Sequence, residues 1–110
     1  MKEHATLKYL RISPQKVRLV ADVIRGKSVE EALTTLQFLE KRSAKHLRKL
    51  LKGAVSNLDN KGTTAIDTFN ITKITVDAGP HRKTFLPRAM GRATPIIKRT
   101  SHVFLEISND

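Results

Sequence analysis

The chain has no cysteine, no tryptophan, a single tyrosine, and only 10 acidic residues against 21 Lys and Arg in 110 positions. Without cysteine there is no disulfide framework, no thiolate metal site and no cysteine nucleophile. No apolar run approaches the ~20 residues that a membrane-spanning helix requires. The N-terminal MKEHATLKYL has an acid at Glu3 and no apolar core region, so it does not resemble a secretion signal, and the chain is expected to stay where it was made, in the cytoplasm or an organelle. P-loop, GxGxxG and paired metal-type histidine patterns are also missing, and no cofactor or metal is expected.

The shortage of acids leaves a net charge of +11 and a pI near 10.5. Such an excess calls for a polyanionic partner. An anionic membrane surface would want a basic helix with Trp or Phe along its opposite side, and aromatics are only 5% of this chain. Nucleic acid remains. The length suits one domain with one modest core.

Residues 5–12, ATLKYLRI, read as a short strand, and Ser13-Pro14 as an N-cap followed by proline at the first helical position. Val17, Val20, Ala21 and Ile24 recur at helical spacing, and Gly26 stands where a terminating glycine belongs. Gln15, Lys16, Arg18 and Arg25 lie off that stripe, flanked by Arg11 and Lys27. Ser28-Val29-Glu30-Glu31 has the form of a capping box that opens a second, acidic helix through Ala32, Leu33, Leu36 and Leu39. A third helix is expected from about Lys41 to Leu58, with Ala44, Leu47, Leu51, Ala54 and Leu58 on its core stripe. Its other side carries Lys41, Arg42, Lys45, Arg48, Lys49 and Lys52 with no acid between them. Solvated faces mix signs, so this face reads as a phosphate contact. Gly53, costly in a helix interior, hints at a close backbone approach.

FNITKITV and the alternating Val103, Leu105 and Ile107 read as two strands, with a slip between Ile71 and Ile74 that marks a bulge near Thr72-Lys73. Between them stands GPHRKTFLPRAMGRATPIIKRTSH, residues 79–102, too long for an ordinary hairpin loop. An extended hairpin is expected, with Thr84-Phe85-Leu86 and Thr94 to Ile97 as its arms and PRAMGR as its tip. About ten residues per arm would project the tip ~30 Å. Residues 78–105 contain six Lys and Arg, no more than the chain-wide frequency gives that length, but not one acid. Phe85, Leu86, Ile96 and Ile97 are expected to need cover. The division is a single domain, 1–110, with a body of 1–78 and 101–110 and an arm of 79–100.

ISPQKVRLVADVIRGK, residues 12–27, and PRAMGRATPIIKRTSH, residues 87–102, at this separation closely resemble the bacterial-type family of large-subunit ribosomal protein twenty-two. The resemblance covers essentially the whole chain. It implies an α+β body of three helices packed on a small three-stranded antiparallel sheet, with a long protruding β-hairpin that extends through the large-subunit RNA. By this resemblance Arg88, Ala89, Met90, Gly91 and Arg92 line the nascent-peptide exit tunnel beside ribosomal protein four. Lys98, Arg99, Thr100, Ser101 and His102 match the returning arm, and Gln15, Lys16 and Arg18 the basic start of the first helix. The entering arm, with Arg82 and Lys83, carries HRKTFL where the family has a Met-Lys-Arg run. The implied partners are large-subunit rRNA, neighbouring ribosomal proteins and the nascent peptide, with the chain a monomer within the ribosome.

The expected role is a structural rRNA-binding component that supports subunit assembly. Its rival is an architectural DNA-binding protein that inserts a β-ribbon arm into the minor groove. Such proteins usually pair through a large shared apolar face, whereas each helix here has one stripe, enough for one intramolecular core. A nuclease built on His81 and His102 is disfavoured, because the arm has no carboxylate and a ribbon has no pocket.

Overall fold

The computed structural model describes residues 2–62, 66–87 and 93–109. Strand β1 (Lys2–Leu10) leads into helices α1 (Pro14–Ile24), α2 (Val29–Phe38) and α3 (Arg42–Asn60). A short 3₁₀ turn (Ile66–Thr68) precedes β2 (Asn70–Ala78), the arm strands β3 (Arg82–Pro87) and β4 (Ala93–Lys98), and β5 (Ser101–Ser108). β5 is central in an antiparallel sheet of order β1-β5-β2, while β3 and β4 form a separate two-stranded ribbon. The α+β architecture matches the expectation.

Both ends of α1 and the start of α2 have local causes. Pro14 occupies the first turn of α1, where its missing N–H costs nothing. Ser13 has the extended backbone of an N-cap, but its hydroxyl makes no capping bond; its carbonyl accepts from Lys16 and Val17 instead. Gly26 takes φ +81° just past the helix end, a conformation that glycine adopts without a Cβ penalty. At α2 the Ser28 hydroxyl accepts from the Glu31 N–H at 3.3 Å, and Glu30 and Glu31 sit in the first turn where the helix dipole favours acids.

The three helices cover one side of the sheet, with α1 against β2, α3 against β1 and β5, and α2 against α3. All five residues expected on the α3 stripe are buried, joined by Ser43 and Leu50. They meet Ile71, Ile74, Val76, Val103, Leu105 and Ile107 from the sheet in one core. The other side of the sheet carries His4 stacked on Phe104 at 5.5 Å.

Two bulges shape the sheet. From Ile71 to Lys73, β2 advances two residues while β5 advances one, so Thr72 is the extra residue where the sequence placed it. From Leu7 to Leu10, β1 advances three while β5 moves only from Val103 to Ser101. Tyr9, inside that second bulge, has φ +60°, the one non-glycine residue with positive φ among those described. The expected first strand, 5–12, therefore ends earlier. Ile12 N–H turns back onto the Leu10 carbonyl at 2.8 Å and closes β1.

The outer edge of β2 is covered by the protein itself. Gly26 N–H donates to the Ile71 carbonyl, and Ile71 N–H donates to the Lys27 carbonyl. Arg25 Nη2 donates to the Ile74 carbonyl at 2.9 Å, and Arg18 gives both Nε and Nη2 to the Val76 carbonyl. An edge closed in this way cannot template pairing with another strand. At the opposite end of the sheet Lys61 Nζ pairs with Glu3 at 2.6 Å and ties α3 to the start of β1. The Lys61 bond, then the His4 N–H, hold the Glu3 carboxyl below its ordinary range. A depressed carboxyl stabilises the fold above its unfolded value of 4.5, and that contribution is lost as the pH falls below it.

The arm pairs from Arg82↔Lys98 to Pro87↔Ala93, with residues 88–92 between. Six paired residues per strand make about 20 Å of ribbon, less than the ~30 Å expected from ten. Unpaired residues at the root add to the reach, and the molecule measures 63 × 24 × 18 Å. Of the four apolar arm residues expected to need cover, Ile97 is 44% exposed; the side chains of Phe85, Leu86 and Ile96 lie outside the described set.

The Gly53 hint fails. Gly53 is exposed on α3, and a Cβ built there meets nothing within 4 Å. Replacing it relieves backbone entropy without a clash. Gly53→Ala is therefore expected to stabilise the isolated protein by about 1 kcal/mol in urea unfolding, whereas a close approach within the fold would make the same change destabilising.

Candidate nucleic-acid interface

Where β2 and β5 stop pairing, four bonds define the root of the arm. Gly79 N–H donates to the Thr100 carbonyl at 2.9 Å, and the Thr100 hydroxyl donates to the Pro80 carbonyl at 2.6 Å. The Ser101 hydroxyl donates to the Ile12 carbonyl at 2.6 Å, and Tyr9 N–H donates to His102 Nδ1 at 3.1 Å. A Cβ at Gly79 would stand 2.5 Å from Thr100 Oγ1 and 3.1 Å from the His102 ring. Glycine is required there by close approach, not by backbone angle.

Beside this root the β1–α1 turn, the first turns of α1, the start of α3 and the arm enclose a cleft of ≈ 1210 Å³. Seven cations line it: Arg11, Lys16, Lys41, Arg42, Arg82, Lys98 and Arg99. Among the described residues no carboxylate does. Small-molecule pockets run about 300–1,000 Å³, so an open groove of this size and sign suits a segment of a charged polymer. Lys41 and Arg42 also belong to a shallower depression with Lys45, His46 and Lys49, which carries the positive surface onto α3 past a single acid, Glu40. At 100° per residue the five α3 cations, Arg42, Lys45, Arg48, Lys49 and Lys52, fall within an arc of roughly 120°, opposite the buried stripe.

His46 registers that field. Its pKa is lowered from 6.5, first by burial and then by Lys49, Arg42 and Lys45. Of the five α3 cations Arg48 is the least available, half-buried with its Nε shielded and without an acceptor among the described residues.

The structure brings together Arg11, Lys16, Lys41, Arg42, Lys45, Lys49, Arg82, Lys98, Arg99 and Thr100 among the residues singled out from the sequence. Lys52 continues the α3 face, and Lys83 is exposed on the arm. Arg18 and Arg25 hold the edge of β2 instead, Arg25 also pairing with Asp22. Gln15 is exposed and Lys27 half-buried, both outside the cleft. Ser101 is fully buried and its hydroxyl donates to the Ile12 carbonyl, which places its side chain in the root and not in the cleft. His102 is half-buried, its Nδ1 occupied by Tyr9 and its ring edge-on to Tyr9 at 4.9 Å, which makes it a fixture of the root. Arg88, Ala89, Met90, Gly91 and Arg92 lie outside the described residues.

Tyr9 was missed. It lines the cleft and is 62% exposed. Its signal was legible: Leu7 and Leu10, both turned inward, are three apart, the same break in alternation as Ile71 and Ile74.

A lowered histidine pKa means that the folded chain resists protonation of His46, so the unfolded state binds more protons in the window below pH 6.5. Stability therefore falls as the pH drops through that window. His46→Gln is expected to lose less stability than the wild type between neutral pH and pH 5, as read by urea midpoints; parallel pH profiles would contradict this.

Comparison with known proteins follows the same lines. Residues 5–108 match the family model described as Ribosomal protein L22p/L17e. The chain is 50% identical over 103 residues to the large ribosomal subunit protein uL22 of Desulfotalea psychrophila, covering 94% of both chains. It is 47% identical over 110 residues to that of Myxococcus xanthus, covering 98% of this chain and 96% of the relative. It is 49% identical over 109 residues to that of Pelobacter propionicus, covering 99% and 98%. A match that runs through the helical body, the sheet and the arm without a gap in coverage leaves one assignment: the chain belongs to the Ribosomal protein L22p/L17e family.

Proposed function

We propose that the chain binds large-subunit rRNA along the basic track that runs from the root of the arm onto α3, and that the arm reaches onward through folded RNA. Family membership makes the coarser part plain: this is a structural constituent of the large ribosomal subunit, at work in the cytoplasmic ribosome, and not an enzyme. The observation that carries the finer reading is the cleft itself, seven cations in one lining with no carboxylate among the described residues, and its continuity with the α3 face through Lys41 and Arg42. Phosphate binding by such a surface is driven by counterion release and needs no chemistry. Arg fits the role at the cleft because its planar fork takes two phosphate oxygens at once.

An isolated two-stranded ribbon is marginal in water. Binding the body therefore places beside RNA the one element that most needs an outside surface. Contact with several RNA segments at once is how the chain would support subunit assembly. By the family resemblance, the tip residues Arg88 to Arg92 face the exit tunnel and the nascent peptide, next to ribosomal protein four.

Two measurements test this. Binding to large-subunit rRNA should weaken linearly in log–log salt titration, and Arg42→Ala with Lys45→Ala should lower the slope by about two. Equal affinity for arbitrary duplex DNA would favour the DNA-binding alternative. Separately, a photoreactive group at position 90 should crosslink to nascent chains on translating ribosomes, and its silence in active ribosomes would remove the tunnel role.

A further inference from the structure

A groove made only to hold phosphates has no use for exposed apolar side chains, yet this one has three. Tyr9 is 62% exposed, Leu19 61% and Ile97 44%, and all three line the cleft among its cations. Phosphates are served by charge; apolar and aromatic walls serve bases.

Tyr9 is also held at a cost. Its φ of +60° is the left-handed region, unfavourable for a residue with a Cβ by roughly 1 kcal/mol or more. The β1 bulge that creates this conformation re-aims the side chain, as bulges beside functional sites do. The bulge also frees the Tyr9 N–H from the strand ladder, and His102 Nδ1 takes it at 3.1 Å. The His102 ring then meets the tyrosine ring at 90°, which fixes its orientation. A strained, oriented and largely bare aromatic ring stands in a cleft with no carboxylate among its described lining residues.

We propose that this cleft takes an unstacked nucleotide of RNA, its base against the Tyr9 ring with Leu19 and Ile97 as flanking walls and its phosphates on Arg11, Arg42 and Arg99. The inference rests on the rRNA-binding reading above and adds the state of the RNA: a splayed-out or single-stranded nucleotide occupies the site, not a helical segment. A duplex buries its bases against one another and offers the tyrosine no face. Recognition at this site is by stacking, which tolerates any base, with the surrounding cations setting the salt dependence.

Tyr9 is the only tyrosine and the chain has no tryptophan, so intrinsic emission reports this ring alone. Titrating the full chain with a short oligouridylate should quench that emission saturably, whereas a blunt RNA duplex that binds comparably should leave it largely unchanged. In parallel, affinity for large-subunit rRNA is measured for Tyr9→Phe and Tyr9→Gly. Glycine accepts the positive φ freely, so Tyr9→Gly removes the ring while relieving the bulge, and misfolding cannot account for a loss. Phe should bind as tyrosine does, and Gly about 5- to 150-fold more weakly with an unchanged salt slope, since no charge is lost. If wild-type chain binds the rRNA with the expected salt dependence but Tyr9 emission does not respond, or Tyr9→Gly binds as well as Tyr9→Phe, the stacking site is overturned while the rRNA reading stands. Equal quenching by the duplex would also overturn it. Failure of the wild type to bind the rRNA would instead remove the reading on which it rests.

Discussion

A side chain of any size at Gly79 would collide with the Thr100 hydroxyl, and that hydroxyl is the group that holds Pro80. This close approach is where the body sheet becomes an arm. The pairing of β2 with β5 ends at Ala78↔Ser101, and a new ribbon starts at Arg82↔Lys98. Between them, backbone and hydroxyl bonds replace the ladder and fix the direction in which the ribbon leaves. Ser101 binds one strand of the root to the β1–α1 turn, and His102 binds the same strand to Tyr9. The cleft exists because those bonds bring the arm, the β1–α1 turn and the ends of α1 and α3 to one place.

Electrostatics then decides what that place can hold. Acids are not missing from the chain: Glu30 and Glu31 stand on α2, Asp22 pairs with Arg25 on α1, Glu3 sits beneath Lys61, and Glu40 lines the depression beside Lys41 but not the cleft. Each is neutralised locally or faces away from the cleft lining. Cations are likewise divided by task. Arg18 and Arg25 close the exposed edge of β2, so a strand that would otherwise invite pairing with a second chain is sealed by the same residue type that elsewhere meets phosphate. On α3, burial first and then the convergence of Lys49, Arg42 and Lys45 lower the His46 pKa and favour its neutral ring.

Periodicity made the body legible. The α3 stripe, the glycine stop at Gly26, the serine cap of α2 and the β2 bulge at Thr72 all follow from residue spacing and turn chemistry, and all stand in the structure. The ribbon was legible from its length and its prolines, though its paired part is shorter than expected. The site was legible only in part, because side-chain type along a chain does not say which groups tertiary bonds will occupy. Ser101 belongs to a strongly basic motif and is nonetheless buried. Arg18 looks like a free cation on a helix and is tied to a strand 58 residues away. Tyr9 was overlooked because one tyrosine in a short strand carries no periodic signal; only the Leu7-to-Leu10 spacing betrays the bulge that turns it outward.

The account stands or falls on which face of the body meets RNA. The most direct measurement is ultraviolet crosslinking of intact large subunits, with crosslinked peptides sequenced to the residue. Crosslinks to rRNA should concentrate on the segments that form the track, around Tyr9 to Lys16, Lys41 to Lys52, and Pro80 to Thr100 outside the tip. Crosslinks confined to the open face of the sheet around Phe104, or to α2, with the track silent, would contradict it.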